Sequence, residues 1–305
     1  MSPRLLDTGR ACITLALFTL NVLFWFVPIF LIAILKLLVP VAAWHDLTGR
    51  WLIACGETWI SCNQGILALT QRIQWDIRGT DGLARREWYL VVANHQTWVD
   101  ILVLQGVFNR RIPFLKFFIK QELVWMPFLG LAWWAMDMPF MKRYSREYLE
   151  RHPEKRGRDL EATRKACEKF RRIPTSVINF IEGTRLTPDK LAHSGAGYRH
   201  LLPPKAGGIA FVIGAMGDTL HRLLDVTIVY PDGAPSMWAL CSGKVRRIVV
   251  MVTQRDIDEW ILRGDYAADP EFRIRLQRWV TGMWQEKDAH IAALLAGHRR
   301  GTPAR

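Results

Sequence analysis

Residues 89–100 have the sequence YLVVANHQTWVD, an apolar run of five residues followed by a polar turn. A short apolar run that is rich in valine and bounded by polar residues is typical of a buried β-strand. A helical pattern over residues 97–108 comes next, so the chain passes from strand to helix at His95. In α/β sheets, the binding site lies at the carboxyl ends of the strands. This stretch therefore predicts an α/β fold with His95 at its functional edge.

Further apolar runs predict more strands, and helical patterns separate them. The predicted strands cover residues 75–78, 176–181, 226–230 and 248–252, and the predicted helices cover residues 145–171, 205–216 and 270–295. Strands that alternate with helices favour a mostly parallel sheet that is flanked by helices. We therefore predict an α/β domain over residues 73–305, which ends in a basic tail at residues 297–305.

The N-terminal region has a long apolar run. Residues 11–35 contain no charged side chain, and the run exceeds the roughly 20 residues that a helix needs to cross a bilayer. It is too long for a signal peptide, whereas a buried helix of a soluble protein is an alternative. Residues 51–70 predict an amphipathic helix that lies on the membrane, on the first helix or on the domain. We predict that residues 1–72 form two membrane-anchoring helices.

Charge and composition limit the classes of partner. The net charge of +13 indicates an anionic partner, which is a phosphate-bearing substrate, an anionic lipid surface or nucleic acid. The 14 tryptophans favour a boundary between water and lipid. Residues 123–135, with the sequence LVWMPFLGLAWWA, fit the core and the membrane interface equally well. Five cysteines without a C-x-x-C pair argue against a disulfide scaffold and a cysteine zinc module, and no metal site is predicted.

The first candidate site is the pair His95 and Asp100. Thr97 is placed to cap the following helix, so Asp100 falls in the first helical turn and faces back toward His95. A carboxylate that holds one ring nitrogen of histidine leaves the other nitrogen free to accept a proton. Because no serine or cysteine nucleophile lies beside the pair, the pair would activate a hydroxyl of the substrate. The alternative is a capping aspartate beside a histidine without a catalytic role.

The second candidate site is the sequence NFIEGTR at residues 179–185, at the end of a predicted strand. Gly183 permits a tight turn, and Thr184 offers a hydroxyl hydrogen bond. Arg185 carries a guanidinium fork that suits a phosphate group. Backbone amides in such a turn also bind anions. Taken alone, the tetrapeptide is equally compatible with an ordinary turn.

The two sites together, H-x-x-x-x-D at 95–100 and F-x-E-G-T-R at 180–185, resemble the glycerolipid acyltransferase family. The best-known member of that family is 1-acyl-sn-glycerol-3-phosphate acyltransferase. Three further stretches are similar to family motifs, namely KQEL followed by PFLG from Lys120, FMKR ending at Arg143, and LLPPKAG around Lys205. Ile181 stands where the family commonly has proline, and residues 224–230 also lack a proline. These forms are more similar to a branch with eukaryotic lysophospholipid acyltransferases and a bacterial paralogue of the housekeeping enzyme.

The resemblance implies a membrane-bound enzyme without metal or cofactor. It would move an acyl group from acyl-CoA or acyl carrier protein to the sn-2 hydroxyl of lysophosphatidate, or of lysophosphatidylglycerol or lysocardiolipin. His95 would be the general base, and Asp100 would orient it. The oxyanion donor would be Lys120 or a nearby backbone N–H. The other substrate-binding residues would be Arg143 and Arg185 as phosphate clamps, Gly183 and Thr184 as the turn, Glu182 on an arginine or the glycerol, and Lys205 on donor phosphates. The domain would face the cytoplasm from the inner membrane.

Two functions of other classes are alternatives. A membrane-tethered nucleic-acid-binding protein would fit the positive charge, but the basic residues alternate with acidic ones and the sequence has no zinc module or RNA-binding strand motif. A membrane scaffold without catalytic activity would not need His95, Asp100, Glu182 and Arg185, all of which are present. We therefore expect an enzyme that contacts membrane lipid and no specific nucleic acid.

Overall fold

The computed structural model describes residues 3–141 and 173–301, together with residues 151 and 170. The helices are α1 (Pro3–Leu38), α2 (Ala42–Thr70), α3 (Val99–Phe108), α4 (Leu129–Ala135), α5 (Pro188–His193), α6 (Ala206–Met216), α7 (Met237–Cys241), α8 (Glu259–Leu262) and α9 (Pro270–Gly301). The strands are β1 (Gln74–Arg78), β2 (Tyr89–Ala93), β3 (Leu115–Phe117), β4 (Ile119–Lys120), β5 (Phe140–Met141), β6 (Ser176–Asn179), β7 (Arg222–Val229) and β8 (Arg247–Asp256). Arg143 and most of the predicted helix over residues 145–171 lie outside the described residues.

A six-stranded sheet in the order β1-β8-β7-β2-β6-β3 forms the centre of the α/β domain. Neighbouring strands are parallel, except that β7 and β8 are antiparallel. Val92 of β2 lies opposite Asn179 of β6 and Asp225 of β7. The carboxyl ends of these three strands therefore meet at one edge of the sheet. The predicted α/β fold with a mostly parallel sheet is confirmed.

Strand β2 is buried on both faces, as its continuous apolar sequence predicts. Tyr89 and Val91 pack with residues of α3 on one face. Leu90 and Val92 pack on the other face with residues of α6 and α9. Both faces of the sheet are thus covered by helices, and only the strand ends remain for a binding site.

Some boundaries differ from the predicted ones, and the reasons are local. β7 begins at Arg222 and β8 ends at Asp256, because the antiparallel ladder pairs these two polar residues beyond the apolar runs. The short β3 was not predicted because it contains Lys116, a buried residue whose Nζ donates to the Met136 carbonyl at 3.0 Å. β4 and β5 have two residues each. They were not predicted, because two residues are too few to show the alternation of apolar and polar side chains that indicates a strand.

Helix α1 is long and apolar enough to cross a membrane, and it is bonded to the rest of the protein near both ends. Near its start, Thr14 Oγ1 accepts from Gln71 Nε2 at 3.0 Å, and Gln71 also donates to the Cys241 carbonyl. Near its end, Lys36 Nζ donates to Asp137 Oδ2 at 2.7 Å. The helix therefore runs along the domain, over about 33 Å between these two contacts.

The segment around α4 is part core and part surface. Ala132 and Ala135 are buried, whereas Trp125 is 86% exposed and Trp134 is 46% exposed. Phe128 packs edge-on against Phe26 of α1, with the ring centroids 4.9 Å apart. Part of residues 123–135 thus belongs to the core, and the other part is exposed next to the exposed face of α1; contact of the exposed part with a membrane stays a prediction.

The C-terminal helix α9 covers one face of the sheet and holds the segment that leads to α6. Trp284 Nε1 donates to the Leu202 carbonyl at 3.0 Å. The carboxylate of Asp288 accepts from the backbone N–H groups of Arg199 and His200 at 3.0 Å and 2.8 Å. The position of residues 199–202 therefore depends on α9.

Candidate active site

Three adjacent parallel strands bring the candidate residues to one edge of the sheet. His95 follows β2, Glu182 follows β6, and Tyr230 follows β7. The loops after β2 and β6 are joined directly, because the Leu186 N–H donates to the His95 carbonyl at 2.8 Å. The two motifs that lie 80 residues apart in the sequence thus form one site.

His95 and Asp100 form a hydrogen-bonded pair. His95 Nδ1 lies 2.9 Å from Asp100 Oδ2, and Asp100 is fully buried. An ionised carboxylate only accepts hydrogen bonds, so Nδ1 carries the proton and Nε2 is the free acceptor. The imidazole ring also stacks on Phe180, with the centroids 4.0 Å apart and the planes 18° from parallel. The ring is therefore held in one orientation by Asp100 and Phe180.

The start of α3 differs from the predicted cap. The Thr97 hydroxyl donates to the Pro235 carbonyl at 2.6 Å and accepts only a long hydrogen bond of 3.4 Å from the Val99 N–H. Asp100 Oδ2 instead accepts from the N–H groups of Gln96 and Thr97 at 2.6 Å and 2.9 Å. The same oxygen that orients His95 thus also holds the turn in which His95 lies.

Glu182 is buried and joins two loops. Its Oε1 accepts from the His95 N–H at 2.9 Å, and its Oε2 accepts from the Leu202 N–H at 3.0 Å. Both oxygens are bonded to the main chain rather than to an arginine. Burial raises the pKa of the Glu182 carboxyl to about 7, although the two backbone hydrogen bonds and the charge of Lys287 oppose this shift. Glu182 therefore holds the two loops together.

The burial of Glu182 predicts a pH-dependent contribution to stability. The folded-state pKa of about 7 lies above the ordinary value of 4.5, so this contribution is complete below pH 4.5 and is lost as the pH rises through 7. In the wild type, we expect the free energy of unfolding to fall by at most about 3 kcal/mol over this pH range. In Glu182→Gln, which has no carboxyl group to titrate, we expect this fall to be absent. The measurement is denaturant unfolding of both proteins between pH 4.5 and 8.

The exposed Glu259 provides the matched control for this prediction. Its side chain is 79% exposed and pairs with Arg263, so Glu259→Gln should leave the pH dependence of the wild type unchanged. Equal slopes of unfolding free energy against pH for the wild type and Glu182→Gln would contradict the prediction.

Positive charges surround the turn at residues 183–185. Gly183 has a φ of +72°, which favours glycine, and a Cβ added there would lie 3.3 Å from Lys205 Nζ, the flexible end of the lysine. The guanidinium of Arg185 lies 4.8 Å over the ring of Trp98. Lys190 Nζ donates to Thr184 Oγ1 at 2.6 Å and to the Arg185 carbonyl at 3.2 Å. The structure thus brings Lys205, a fourth predicted site residue, next to the turn that Gly183, Thr184 and Arg185 form.

Lys190 and Tyr230 are residues of this site that the sequence analysis did not select. Lys190 lies in the short α5, and the sequence LTPDK after Arg185 gave a weak hint, because a helix that starts at Pro188 turns the lysine back toward the loop. Tyr230 follows β7 at the functional edge, and its hydroxyl donates to Asp100 Oδ1 at 2.6 Å.

Lys120 and Arg143 are not joined to the pair by any contact between described residues. The Lys120 side chain is 58% exposed and its Nζ lies 3.5 Å from Glu122 Oε1. Lys120 pairs with Met141 across the two-stranded sheet. Met141 stands two positions before Arg143 in the sequence, and Arg143 lies outside the described residues. Within the described ranges, no group of three histidine, cysteine, aspartate or glutamate residues is arranged to hold a metal ion.

Comparison with known proteins finds acyltransferases. The chain is 25% identical to lysocardiolipin acyltransferase 1 of Danio rerio over 258 residues, which cover 79% of the chain and 61% of that protein. It is 24% identical to 1-acyl-sn-glycerol-3-phosphate acyltransferase delta of Mus musculus over 217 residues, which cover 67% of the chain and 52% of that protein. The chain thus spans about half to three fifths of the length of these relatives.

The fold is also that of a solved acyltransferase. The crystal structure of the 1-acyl-sn-glycerophosphate acyltransferase from Thermotoga maritima superposes with a TM-score of 0.55 at 16% identity, over 94% of this chain and 98% of that chain. The profile of the family described as Acyltransferase matches residues 74–231, about half of the sequence. The protein therefore belongs to the Acyltransferase family, and its matched relatives are glycerolipid and lysophospholipid acyltransferases.

Proposed function

We propose that the protein transfers a fatty acyl group from acyl-CoA, or from acyl carrier protein, to the sn-2 hydroxyl of lysophosphatidate and so makes phosphatidate. The observation that supports this most is the hydrogen bond between Leu186 and His95, which sets the cationic turn beside the histidine. A base for a hydroxyl and a pocket for a phosphate are the two features that such an acceptor requires.

The chemistry begins with proton transfer to His95 Nε2. The acceptor hydroxyl loses its proton as its oxygen attacks the thioester carbonyl, and Asp100 stabilises the imidazolium that forms. The tetrahedral intermediate then expels the thiolate, which takes the proton from His95. General-base assistance of this kind is worth about 10²–10⁴ in rate. For Lys120 to stabilise the oxyanion, as the resemblance implies, its Nζ would have to leave Glu122.

The acceptor phosphate is proposed to bind at the turn of residues 183–185. Arg185, Lys190 and Lys205 offer three positive charges there, and Thr184 offers a hydroxyl. A phosphomonoester carries about −1.5 to −2 charges at neutral pH, which matches such a cluster. Arg143 is proposed as a second phosphate clamp.

The acyl chain is proposed to lie along apolar side chains that extend from the site toward the N-terminal helices. Phe180 stacks on His95. Phe117 packs both against the core around β2 and against the cluster that joins α1, α2 and α4. The cavity between these helices, lined by residues such as Trp25 and Met136, has a volume of only about 20 Å³, so the acyl chain is proposed to lie against these apolar side chains and not inside the cavity. Burying an acyl chain against them recovers about 0.8 kcal/mol per methylene group.

Membrane attachment is proposed to use the exposed face of α1 and the aromatic residues around α4. Phe24 is 68% exposed and Trp125 is 86% exposed, and tryptophan favours the lipid interface. If α1 crossed a bilayer core of about 30 Å, its contacts at Gln71 and Asp137 would place parts of one domain on both sides. We therefore place α1 within one leaflet of the inner membrane, with the α/β domain in the cytoplasm, which its net charge of +13 favours.

The test is acyl transfer by the purified protein in liposomes. Oleoyl-CoA and oleoyl-acyl carrier protein are offered with lysophosphatidate, lysophosphatidylglycerol, lysocardiolipin and lysophosphatidylcholine. We expect transfer to lysophosphatidate. We expect Arg185→Ala to raise the KM for lysophosphatidate by about tenfold, because a charge-assisted hydrogen bond from Arg185 to the acceptor phosphate is lost. Circular dichroism establishes that the proteins are folded.

The outcomes separate the acceptor from the chemistry. Lysocardiolipin is the second candidate acceptor, because the match to lysocardiolipin acyltransferase 1 covers 79% of the chain. A preference for that lipid would keep the mechanism and replace the acceptor. The absence of transfer from both donors by a folded protein would overturn the enzymatic proposal and favour the scaffold.

A further inference from the structure

The hydroxyl of Tyr230 is bonded to the side of the Asp100 carboxylate that His95 does not use. Tyr230 Oη lies 2.6 Å from Asp100 Oδ1, whereas His95 Nδ1 and two backbone N–H groups all bond to Oδ2. Tyr230 is 4% exposed and Asp100 is fully buried. Tyr230 is thus the single described hydrogen-bond donor to Oδ1 of a carboxylate that is buried from bulk water.

We propose that Tyr230 is a positioning residue that acts through Asp100, holding the carboxylate in line with His95 and limiting how strongly His95 retains a proton. Each hydrogen bond to a carboxylate draws negative charge away from it. A carboxylate that is satisfied at both oxygens stabilises an imidazolium less than one with a free oxygen. The inference rests on the proposed role of His95 as the base.

The position of Tyr230 in the fold supports a fixed geometry. It follows β7 directly, and β7 is bonded to β2 along its length. The turn after β2 is also tied to β7 by Asn94, whose side chain donates to the Ile228 carbonyl at 2.9 Å and accepts from the Ile228 N–H at 2.8 Å. The tyrosine and the turn that carries His95 therefore move together.

Tyr230 stays protonated in this environment. Burial, together with the charge of Asp100, raises the pKa of the Tyr230 phenol well above its ordinary value, so it remains a donor over the working range of pH. The other charged groups near the pair come from three directions. Glu182 and Arg185 come from the loop after β6, Lys287 comes from α9, and Lys205 comes from the start of α6.

The test is Tyr230→Phe, which removes only the hydroxyl. We expect kcat to fall by about tenfold while KM for both substrates stays near the wild-type value, because one hydrogen bond to a charged group is lost. We also expect the acid limb of the pH–rate profile to move to higher pH by about half a pH unit. In an Asp100→Asn background, Tyr230→Phe should have no further effect on either quantity, because the tyrosine acts only through the carboxylate.

Tyr89 supplies the matched control. It is fully buried, and its hydroxyl accepts from the Ala84 N–H at 3.0 Å at the opposite end of β2. Tyr89→Phe should change stability as much as Tyr230→Phe does and should leave the pH–rate profile in place. An unchanged acid limb in Tyr230→Phe, or an equal loss of activity in the Asp100→Asn background, would overturn the proposal.

A measurement without substrate separates this proposal from the proposed function. The NMR titration of the His95 imidazole, assigned by its absence in His95→Ala, should move to higher pH in Tyr230→Phe. Replacing Tyr230 by 3-fluorotyrosine, a stronger donor, should move the same titration to lower pH and tests the idea even if the phenylalanine variant does not fold. These shifts are expected whether or not acyl transfer is observed, and identical titrations in all three proteins would refute the role of Tyr230.

Discussion

Replacement of His95 by alanine is expected to lower kcat/KM for acyl transfer by about 10²–10⁴-fold. The Nδ1 of the imidazole is held by the buried Asp100, which leaves Nε2 to accept the proton of the acceptor hydroxyl. The backbone N–H of residue 95, which donates to Glu182, is retained in alanine, so the loops keep their connection. The loss should therefore fall on kcat, with a small change in KM.

His193 is the control for this experiment. It is exposed on α5, where its Nδ1 contacts the Asp189 carbonyl at 2.6 Å, and it makes no described contact with Asp100. His193→Ala should keep nearly full activity. Matched thermal unfolding curves of the three proteins establish that the fold is the same. If His95→Ala retained more than about a tenth of the wild-type rate, another group would have to be the base.

Replacement of Lys287 by methionine is expected to lower the free energy of unfolding by about 3–5 kcal/mol. Lys287 is fully buried, and its Nζ contacts Asp225 Oδ1 and the Val226 carbonyl, both at 2.6 Å. Methionine fills the same space without a charge. Asp225 would then remain buried with Arg255 at 3.5 Å as its described cationic partner.

The double variant Lys287→Met with Asp225→Asn makes this prediction specific to charge. Removal of both charges should restore the stability to within about 1 kcal/mol of the wild type, because the cost comes from the unpaired aspartate. Arg263→Met, in the exposed pair with Glu259, should change the stability by less than about 1 kcal/mol. The measurement is denaturant unfolding in detergent. Equal destabilisation of the single and double variants would show that packing rather than charge dominates.

The central part of the site was predictable because its information is local. His95 and Asp100 lie five residues apart at a strand end, and Gly183 to Arg185 lie in one turn, so the pattern of the sequence already contains these neighbours. Their joining at one edge followed from the rule that carboxyl ends of parallel strands share an edge. Strand order, in contrast, depends on pairing between distant segments.

Other contacts could not be predicted because they join residues that are far apart in the sequence. Tyr230 and Asp100 lie 130 residues apart, and no period of hydrophobicity relates a tyrosine to an aspartate. The Thr97 hydroxyl was expected to serve its own helix but donates to Pro235, a residue of a distant loop. The length of α1 predicts a membrane helix, but only the contacts of Gln71 and Asp137 show that it follows the domain.

The contacts of α9 set an order of events during synthesis. A chain leaves the ribosome from its N-terminus, so the apolar α1 emerges before α9. Residues 199–202, which include the Leu202 N–H that bonds Glu182, are held by Trp284 and Asp288 of α9. The site is therefore complete only after α9 has docked. If α1 binds lipid, as proposed, the nascent protein reaches the membrane before its site is complete.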